Sequence, residues 1–441
     1  MSYATLATKR QFIEGKIIAG IDPAKKKHQV KILASNGVQI GKTFSFPHSY
    51  TGFHEILWKR MKKNLVDYNP GDIVFAVETS CDLWQNITSH LHGNGFIVLL
   101  VSPLTTYHAR VMPNQDFSRS DPKDALVVAS SAHSGYFNFY HELDEEVSAR
   151  RALSIAYDKL RKDLNRNVQR VGSFVGRYFP EFLQILNLST DTAKYLLSKY
   201  YLPHHFMDMD VETEARVIAT ISRSQHGMTT LKRLQELATN SIGIARAPEE
   251  EIADRLILDG WLAMINTVEE QMKTISHQLI HLAKKTPTFG ILTSLRGVAD
   301  TTASLFIAET NDPAGYDHYK QIEKLAGMNL TLRQSGQYKG ARRISHLGNR
   351  RLSWIIYTMT KETAKYIPEV RIKYLKRQLK KPNYTKNVIA STSPLLQLIM
   401  ALIKENRPYE YRKETQIVAS RLGAEYQRAK ARKKKRQVAV A

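Results

Sequence analysis

The chain has 441 residues and a formal net charge of +23, because 64 lysines and arginines face 41 acidic residues. This length predicts two or three domains, and so large a positive charge favours a polyanionic partner, with nucleic acid as the first candidate. We find no run of about 18 apolar residues and no signal-peptide pattern, and we therefore expect no membrane partner. The single cysteine, Cys81, excludes an internal disulfide and a cysteine-rich zinc module, which fits a reducing cytoplasm.

Residues 17–46 contain three runs typical of strands, which are IIAGID, HQVKILAS and VQIGKTFSF. Asn36 and Gly37 form a hairpin turn signal between the second run and the third. Helical patterns at about 50–64 and 81–93, and helices that begin near 103 and 121, alternate with the strands DIVFAVE and FIVLLVS. Three meander strands followed by alternating helices and strands predict a mixed α/β domain, the arrangement of ribonuclease-H-like domains.

Two series of apolar residues, spaced by threes and fours, predict two long helices that each bury one narrow seam. Residues 178–256, which separate them, have mixed character. The helices could pair with each other as a coiled coil or with a second subunit. Basic residues off the first seam fit a solvated face and a nucleic-acid contact equally well. The first series is Leu153, Tyr157, Leu160, Leu164, Val168, Val171 and Val175, and the second is Leu258, Trp261, Ile265, Val268, Met272, Ile275, Leu279 and Leu282.

The C-terminal third contains a helix, a turn centred on Gly297 and a second helix, within residues 292–310. In a helix-hairpin-helix-like element such a turn presents backbone N–H groups to a DNA phosphate, although a plain helix connection is the commoner explanation. Residues 333–350 are glycine-rich, basic and poor in apolar side chains, which predicts a surface loop. Residues 428–437 are so highly charged that we expect a disordered arm that contacts phosphates.

Four carboxylates occupy positions that a strand-based metal site would need. Asp22 and Glu78 each close an apolar strand, and Asp121 and Asp124 open a helix. Carboxylates that hold two divalent cations are standard apparatus for phosphodiester chemistry, and Mg²⁺ prefers oxygen ligands. Each acid also has an ordinary explanation, since Asp121 and Asp124 fit a helix N-terminus and Asp22 could simply end a strand. Only the set of four favours a metal site.

These segments resemble a known family. GIDPAKKKHQV, AVETS and SDPKDALVVA look like the three catalytic motifs of the DEDD transposases of the insertion-sequence-110 family, which includes Piv-type invertases and bridge-RNA-guided recombinases. LRGVADTTASLFIAE, KLAGMNL and QSGQYKGARRISHLGNRRLSWIIY resemble the C-terminal transposase domain of the same family. The matching motifs cover about residues 15–135 and 290–360, in the family's order.

The resemblance implies a RuvC-like domain in which Asp22, Glu78, Asp121 and Asp124 bind Mg²⁺ or Mn²⁺. It also implies that Ser335, followed by Gly336, is a nucleophile that forms a covalent phosphoserine link with DNA. Without the resemblance, Ser335 would be only a turn residue. Ser345, a second serine in the same loop, ranks lower because it leads into the next helix. Four arginines around these serines could clamp phosphates, namely Arg342, Arg343, Arg350 and Arg351.

The resemblance further implies a homo-oligomer, either a dimer or a tetramer, whose active site combines acids from one subunit with the serine of another. The expected partners are double-stranded donor and target DNA and a structured guide RNA, in the cytoplasm of a bacterium or an archaeon. We expect four parts, which are a catalytic domain over 1–142, coiled-coil helices with an inserted segment over 143–288, a transposase domain over 289–365, and a helical extension with a basic tail over 366–441.

Two other functions remain open from the sequence. A RuvC-like nuclease would need the acids but not Ser335, and a decayed, non-catalytic nucleic-acid-binding protein would need neither. LPHHF at 202–206 and the pair His277 and His281 could suggest metal ligands. We expect no third ligand and no cysteine to accompany them, and we therefore expect structural or surface roles for these histidines.

Overall fold

A six-stranded sheet organises the first part of the chain. The computed structural model describes residues 5–65, 69–80, 82–111, 121–331, 334–335, 338–340 and 343–438, and the chain divides into two units, 1–143 and 144–441. In the first unit the elements are α1 (Leu6–Ile13), β1 (Ile17–Asp22), β2 (Lys27–Leu33), β3 (Gln39–Pro47), a π-helix (Gly52–Ile56), α2 (Leu57–Asn64), a short 3-10 turn (Pro70–Asp72), β4 (Ile73–Glu78), α3 (Leu83–Gly93), β5 (Ile97–Val101), α4 (Pro103–Val111), α5 (Asp121–His133) and β6 (Asn138–Phe139).

The strand order in this sheet is β3-β2-β1-β4-β5-β6. Strands β1, β4 and β5 run parallel, and β2, β3 and β6 pair antiparallel with their neighbours. β1 and β4 are buried on both faces, as expected for central strands that helices cover on each side. Ile17, Ala19 and Ile21 belong to one core, whereas Ile18 belongs to the core that includes Val128 of α5. This two-residue alternation places α5 on a defined face of β1.

Two long helices begin the second unit, and they pack against each other within one chain. These are α6 (Glu145–Tyr178) and α12 (Pro248–Ala283), which contain the two predicted apolar series. Residues 178–256 between them are also helical and build a core with the adjoining ends of α6 and α12. The inserted helices are α7 (Phe182–Ile185), α8 (Asp191–Lys199), α9 (Pro203–Met207), α10 (Val211–Ile221) and α11 (Met228–Thr239).

Among its described residues, the rest of the second unit consists of helices, four two-residue strands and the segments that connect them. Its elements are α13 (Pro287–Thr293), α14 (Asp300–Thr310), a 3-10 turn (Pro313–Gly315), α15 (Tyr319–Leu325), β7 (Leu330–Thr331), β8 (Gln334–Ser335), β9 (Tyr338–Lys339), β10 (Arg343–Ile344), α16 (Arg350–Tyr366), α17 (Pro368–Lys380), α18 (Tyr384–Ile389), α19 (Thr392–Lys404) and α20 (Lys413–Val438). One hydrophobic core extends from Leu279 to Leu402. The residues on both sides of the predicted boundary at 365 and 366 therefore share that core.

The structure confirms the mixed α/β sheet followed by a mostly helical C-terminal part. The stretch Tyr384–Lys404 is long and apolar enough to cross a membrane by length and composition, but it comprises α18 and α19, and half of it is buried inside the protein. One detail of the sequence-based prediction is corrected. The predicted disordered arm at 428–437 is wrong, because these residues continue α20. Ala419 of α20 is buried, and the chain from there onward is rich in Ala, Lys and Arg, which propagate a helix readily once it has begun.

Candidate functional site

Asp22 and Glu78 lie side by side at one end of the sheet. β1 and β4 are parallel, with Ile21 opposite Val77, so that the next residue of each strand is one of the two acids. Neighbouring strands are about 4.8 Å apart, which puts the two backbones at that spacing. Asp22 is half-buried and Glu78 is 7% exposed. The sequence order of the strands therefore brings the first two predicted carboxylates to one sheet edge.

Helix α5 brings the other two acids to the same end. His133, the last residue of α5, contacts the carbonyl oxygen of Ser35, just beyond the end of β2 that pairs with the start of β1. The first residues of α5 accordingly lie toward the opposite end of β1, where Asp22 is. Asp121 begins this helix and the half-buried Asp124 lies in its first turn. The side chain of Asp121 lies outside the described part of the chain.

Gly20 sets the distance between α5 and β1. A Cβ atom at this position would lie 2.5 Å from the backbone nitrogen of Ala129 and 2.6 Å from the carbonyl oxygen of Ala125. Only glycine allows the backbones of helix and strand to approach so closely. The distance between the N-terminus of α5 and the end of β1 that carries Asp22 depends on this contact.

One face of α4 binds two of the four acids. The hydroxyl of Thr106, which is buried, donates a hydrogen bond to Glu78 Oε1 at 2.9 Å. Arg110, four residues later, donates through Nε to Asp124 Oδ1 at 2.8 Å, and both side chains of this ion pair are more than four-fifths buried. Thr106 and Arg110 were not predicted from the sequence, although their four-residue spacing places them on one helical face directly after β5.

A buried histidine fixes the turn that follows Asp22. Ala24 donates its backbone N–H to His28 Nδ1 at 3.1 Å, and His28 Nε2 lies 2.9 Å from His48 Nδ1. Because Nδ1 accepts, the neutral ring carries its proton on Nε2 and donates it to His48. Burial lowers the pKa of His28 to about 4, and the neighbouring His48 contributes to that shift. The turn is therefore held by an uncharged imidazole at neutral pH.

The donor chemistry of this sheet edge fits a divalent cation. Carboxylate oxygens are the ligands that Mg²⁺ and Mn²⁺ prefer, and Asp22, Glu78 and Asp124 supply them from described side chains. The oxygens of these three acids do not all come within 4.8 Å of one another among the described residues. Arg110 pairs with Asp124 in this structure, so that acid must rotate to join a cation held by the others.

Ser335 lies at the tip of a hairpin in the second unit. The outer pair of strands, β7 and β10, places Thr331 opposite Arg343, and the inner pair, β8 and β9, places Ser335 opposite Tyr338. Ser335 is the last residue of β8, and its partner Tyr338 is the first residue of β9. The side chain of Ser335 and all of Gly336 and Arg342 lie outside the described residues.

The hairpin is closed at its base by Gly327 and Gly348. A Cβ atom on Gly348 would lie 2.3 Å from the backbone nitrogen of Gly327, so the two chain segments cross in direct backbone contact. Ser345 is engaged there, because its hydroxyl donates to Asn329 Oδ1 at 2.7 Å and lies 3.1 Å from the carbonyl oxygen of Gly327. The two serines of the loop thus occupy opposite ends of the hairpin.

Comparison with known proteins places both of these sites within matched segments. A family model described as a transposase, of the DEDD type of IS110, matches residues 19–180, and one described as the IS116/IS110/IS902 transposase family matches residues 290–375. The chain belongs to the IS110 family of transposases. It is also similar to the "Insertion element IS110 uncharacterized 43.6 kDa protein" of Streptomyces coelicolor, with 19% identity over 301 residues that cover 67% of this chain and 73% of that protein.

In this IS110-family chain, the remaining residues predicted to bind nucleic acid have different environments. Arg343 and Arg350 are exposed, whereas Arg351 is half-buried and donates through Nε to Glu309 Oε1 at 2.7 Å. The second of the two helices predicted within 292–310 is present as α14, whereas the first, α13, ends at Thr293 and lies mostly before that range. Gly297 has a φ of +103°, and a Cβ atom there would lie 3.0 Å from the backbone of Glu362 in α16. Close packing against α16 is thus a sufficient reason for this glycine.

The structure supplies a third polar residue beside LPHHF, in the part of this transposase between the two matched segments. Glu251 of α12 lies 3.5 Å from His204 Nε2 and 3.6 Å from His205 Nε2. His205 Nδ1, however, accepts the backbone N–H groups of Tyr201 and Leu202, so the proton of the neutral ring is on Nε2, facing Glu251. A metal ligand needs a free lone pair at that atom, and in this tautomer His205 offers none to a cation between His204 and Glu251.

Proposed function

We propose that this transposase cuts and rejoins DNA strands through a covalent link between Ser335 and DNA, with divalent cations held by Asp22, Glu78, Asp121 and Asp124. The observation that carries the proposal is the meeting of Asp22, Glu78 and the first turn of α5 at one end of the sheet. Four acids scattered over about a hundred residues of sequence are thereby gathered at one sheet edge.

The proposed fold of the first unit is RuvC-like. Three antiparallel strands followed by two parallel strands, in the order β3-β2-β1-β4-β5, support it. The acids lie at the carboxyl ends of the first and fourth strands and on the helix that packs against the first. The catalytic domain over 1–142, the coiled-coil part over 143–288 and the transposase domain over 289–365 remain part of this proposal. The C-terminal extension from 366 shares the hydrophobic core of the transposase domain and is proposed as a continuation of it.

The serine step conserves the energy of the phosphodiester. Ser335 Oγ forms a bond to phosphorus, and the bond from that phosphorus to one deoxyribose oxygen breaks. The serine hydroxyl releases its proton, and the departing deoxyribose oxygen takes up a proton to become a hydroxyl group. A hydroxyl on a second DNA end reverses these events, so strands are rejoined without a nucleotide cofactor.

The residues of the sheet edge hold and orient the cations in this proposal. Mg²⁺ or Mn²⁺, when bound, supplies the Lewis-acid chemistry that phosphodiester attack requires. Thr106 fixes the orientation of Glu78 through its hydrogen bond, and Arg110 compensates the charge of Asp124 until that acid turns toward the cation. His28 holds the turn that follows Asp22.

The partners we propose are donor and target DNA together with a structured guide RNA, in the cytoplasm of a bacterium or an archaeon. The net charge of +23 supports polyanionic partners, and α20 presents a basic run in helical form. The resemblance also supports a dimer or tetramer in which the acids of one subunit act with the serine of another. Phosphate contacts do not distinguish RNA from DNA, so the guide RNA rests on the family resemblance alone.

The test compares the purified wild-type protein with three variants, in the presence of Mg²⁺, its RNA and both DNA substrates. We expect a covalent protein–DNA adduct on denaturing gels for the wild type and no adduct for Ser335→Ala or Asp22→Ala. Ser345→Ala should still form the adduct, but more slowly, because it loses the hydrogen bonds of its hydroxyl at the base of the hairpin. The Ser345→Ala variant is the matched control, because it removes the other serine of the hairpin. If Ser335→Ala still cleaves DNA normally, the protein is a RuvC-like nuclease; if the wild type binds DNA without cleaving it, the protein is a non-catalytic binder.

A further inference from the structure

Glu309 is a fully buried carboxylate that joins three helices of the second unit. On α14, its Oε1 accepts hydrogen bonds from Ser154 Oγ of α6 and from Arg351 Nε of α16, both at 2.7 Å. Its Oε2 accepts from the side-chain amide of Asn349. Burial favours the protonated acid, but the hydrogen bonds from Arg351, Asn349 and Ser154 outweigh it and hold the pKa of Glu309 below its usual range. The group is therefore ionised at neutral pH.

Two of these donors lie where the chain leaves the hairpin that carries Ser335. Asn349 caps α16, because its Oδ1 accepts the backbone N–H groups of Arg351 and Leu352 at 3.0 and 3.2 Å. The backbone N–H of Asn349 donates to the carbonyl oxygen of Leu325 at 2.7 Å, on the segment that enters the hairpin. Through Asn349, Glu309 is connected to both ends of residues 325–349.

The crossing of Gly327 and Gly348 continues this contact. Ser345 donates its backbone N–H to Asn329, and His346 donates to Gly327, at 2.9 and 3.0 Å. Beyond this crossing the described hairpin has only the short pairs β7–β10 and β8–β9, and the described residues of β7 and β10 are exposed or half-buried. The direction of the hairpin is thus set at its base, within four residues of Asn349.

We propose that Glu309 is a positioning residue that fixes the base of the hairpin and thereby the place of Ser335. This inference rests on the proposed role of Ser335 as the nucleophile. A buried ion pair contributes little net stability compared with well-packed apolar side chains. Its contribution here is that its hydrogen bonds allow only one relative orientation of the groups that they join. The carboxylate accepts hydrogen bonds from α6 and from the start of α16 at the same time. Neither α16 nor the base of the hairpin can rotate relative to α6 without breaking a charged hydrogen bond.

The first test is the rate of covalent adduct formation by Glu309→Gln at saturating DNA. The glutamine still accepts from Ser154 and Arg351, but its amide nitrogen faces the amide of Asn349, and two donors then oppose each other. We expect adduct formation to slow by about ten- to hundredfold, the effect of a small displacement of a reacting group, while DNA affinity is unchanged. The double variant Glu309→Gln with Asn349→Asp restores a donor and an acceptor with reversed polarity, and it should recover most of the rate.

Glu214→Gln is the matched control. Glu214 is also a buried carboxylate of the second unit with three donors, which are Tyr195, Lys199 and Tyr200, but it lies in the inserted segment. Its substitution should lower the temperature of unfolding without changing the adduct rate of the folded protein. Equal slowing in Glu214→Gln and Glu309→Gln, or no recovery in the polarity swap, overturns the inference.

Hydrogen exchange tests the positioning role independently of chemistry. We expect peptides from 325–349 in Glu309→Gln to exchange about tenfold faster than in the wild type, as loss of a charged hydrogen bond requires, while peptides from α8 and α10 are unchanged. Unchanged exchange at 325–349 overturns the inference. Absence of any adduct in the wild type would instead overturn the proposed serine chemistry, and the exchange result would still decide the role of Glu309.

Discussion

The hydroxyl of Thr106 donates a hydrogen bond to the buried carboxylate of Glu78. This contact is the clearest case of one side chain orienting another at the sheet edge. Thr106→Val keeps the shape of the side chain but removes the donor. Groups that hold metal ligands in place typically change metal affinity by about ten- to a hundredfold when they are removed, so we expect DNA cleavage to need about tenfold more Mg²⁺. The measurement is cleavage as a function of Mg²⁺ concentration.

Thr106→Ser is the control for this prediction, because serine retains the hydroxyl and should keep the Mg²⁺ requirement near that of the wild type. If valine and serine at this position behave alike, the hydrogen bond to Glu78 does not orient the acid.

His28 makes the stability of the first unit depend on pH. Its pKa is about 4 in the folded protein, against 6.5 for an unperturbed histidine, so the unfolded chain binds a proton between these values and the folded chain does not. The contribution of the neutral His28 to the free energy of unfolding is complete above about pH 6.5, and it is lost as the pH falls from there toward about 4. We expect this residue alone to account for up to about 3 kcal/mol of the loss.

The measurement is urea unfolding of the wild type and of His28→Gln across this pH range. Glutamine can accept from Ala24 and donate to His48, but it does not titrate, so carboxylates that titrate in the same range affect both proteins equally. The difference between the two unfolding free energies should shrink or change sign as the pH falls. Parallel curves would show that His28 does not cause the dependence.

Among the elements, the contact between α5 and β1 positions half of the predicted metal ligands. Gly20→Ala puts a Cβ atom within 2.7 Å of three atoms of Ala125 and Ala129, so the helix must move away from the strand. We expect a loss of about 1–3 kcal/mol in the free energy of unfolding, typical of an overpacked core. The rate of Mg²⁺-dependent cleavage should fall even under conditions in which the variant is fully folded, because the first turn of α5, with its two acids, moves with the helix.

Gly93→Ala is the matched substitution for that experiment, since Gly93 ends α3 with nothing within 4 Å of a Cβ atom. Thermal unfolding and cleavage of this variant should resemble the wild type. Equal unfolding temperatures for the two alanine variants would mean that α5 tolerates a wider separation from β1 than the structure indicates.

The strands of the sheet and the two long helices could be predicted from the sequence because their apolar residues repeat with a fixed period. The two-residue β6 has too few residues to show any period. The hairpin at 330–344 was predicted only as a surface loop, since its short strands contain few apolar residues and its base is set by the contact of Gly327 with Gly348. Glycine spacing alone does not reveal such a crossing.

The candidate site shows the same limit. Asp22, Glu78, Asp121 and Asp124 follow from strand ends and a helix start, which are local signals, whereas Ser335 was selected through the family resemblance. Thr106 and Glu309 act through partners 28 and 155 residues away in the chain. No pattern within a single segment points to such partners, because tertiary packing alone brings them together.

At the scale of the whole molecule, the proposed acids belong to the first unit and the proposed nucleophile to the second. If each active site combines two subunits, Asp22→Ala and Ser335→Ala chains are each inactive alone but complement each other when mixed. In an equal mixture of freely exchanging subunits, half of the dimers contain one chain of each variant. One of the two symmetry-related sites in such a dimer has both intact residues, so about a quarter of the wild-type adduct should return.

Subunits should be co-expressed or exchanged before DNA is added, and a mixture of Asp22→Ala with Glu78→Ala serves as the non-complementing control. If the Asp22→Ala and Ser335→Ala mixture forms no more adduct than that control, the acids and the serine act within one chain.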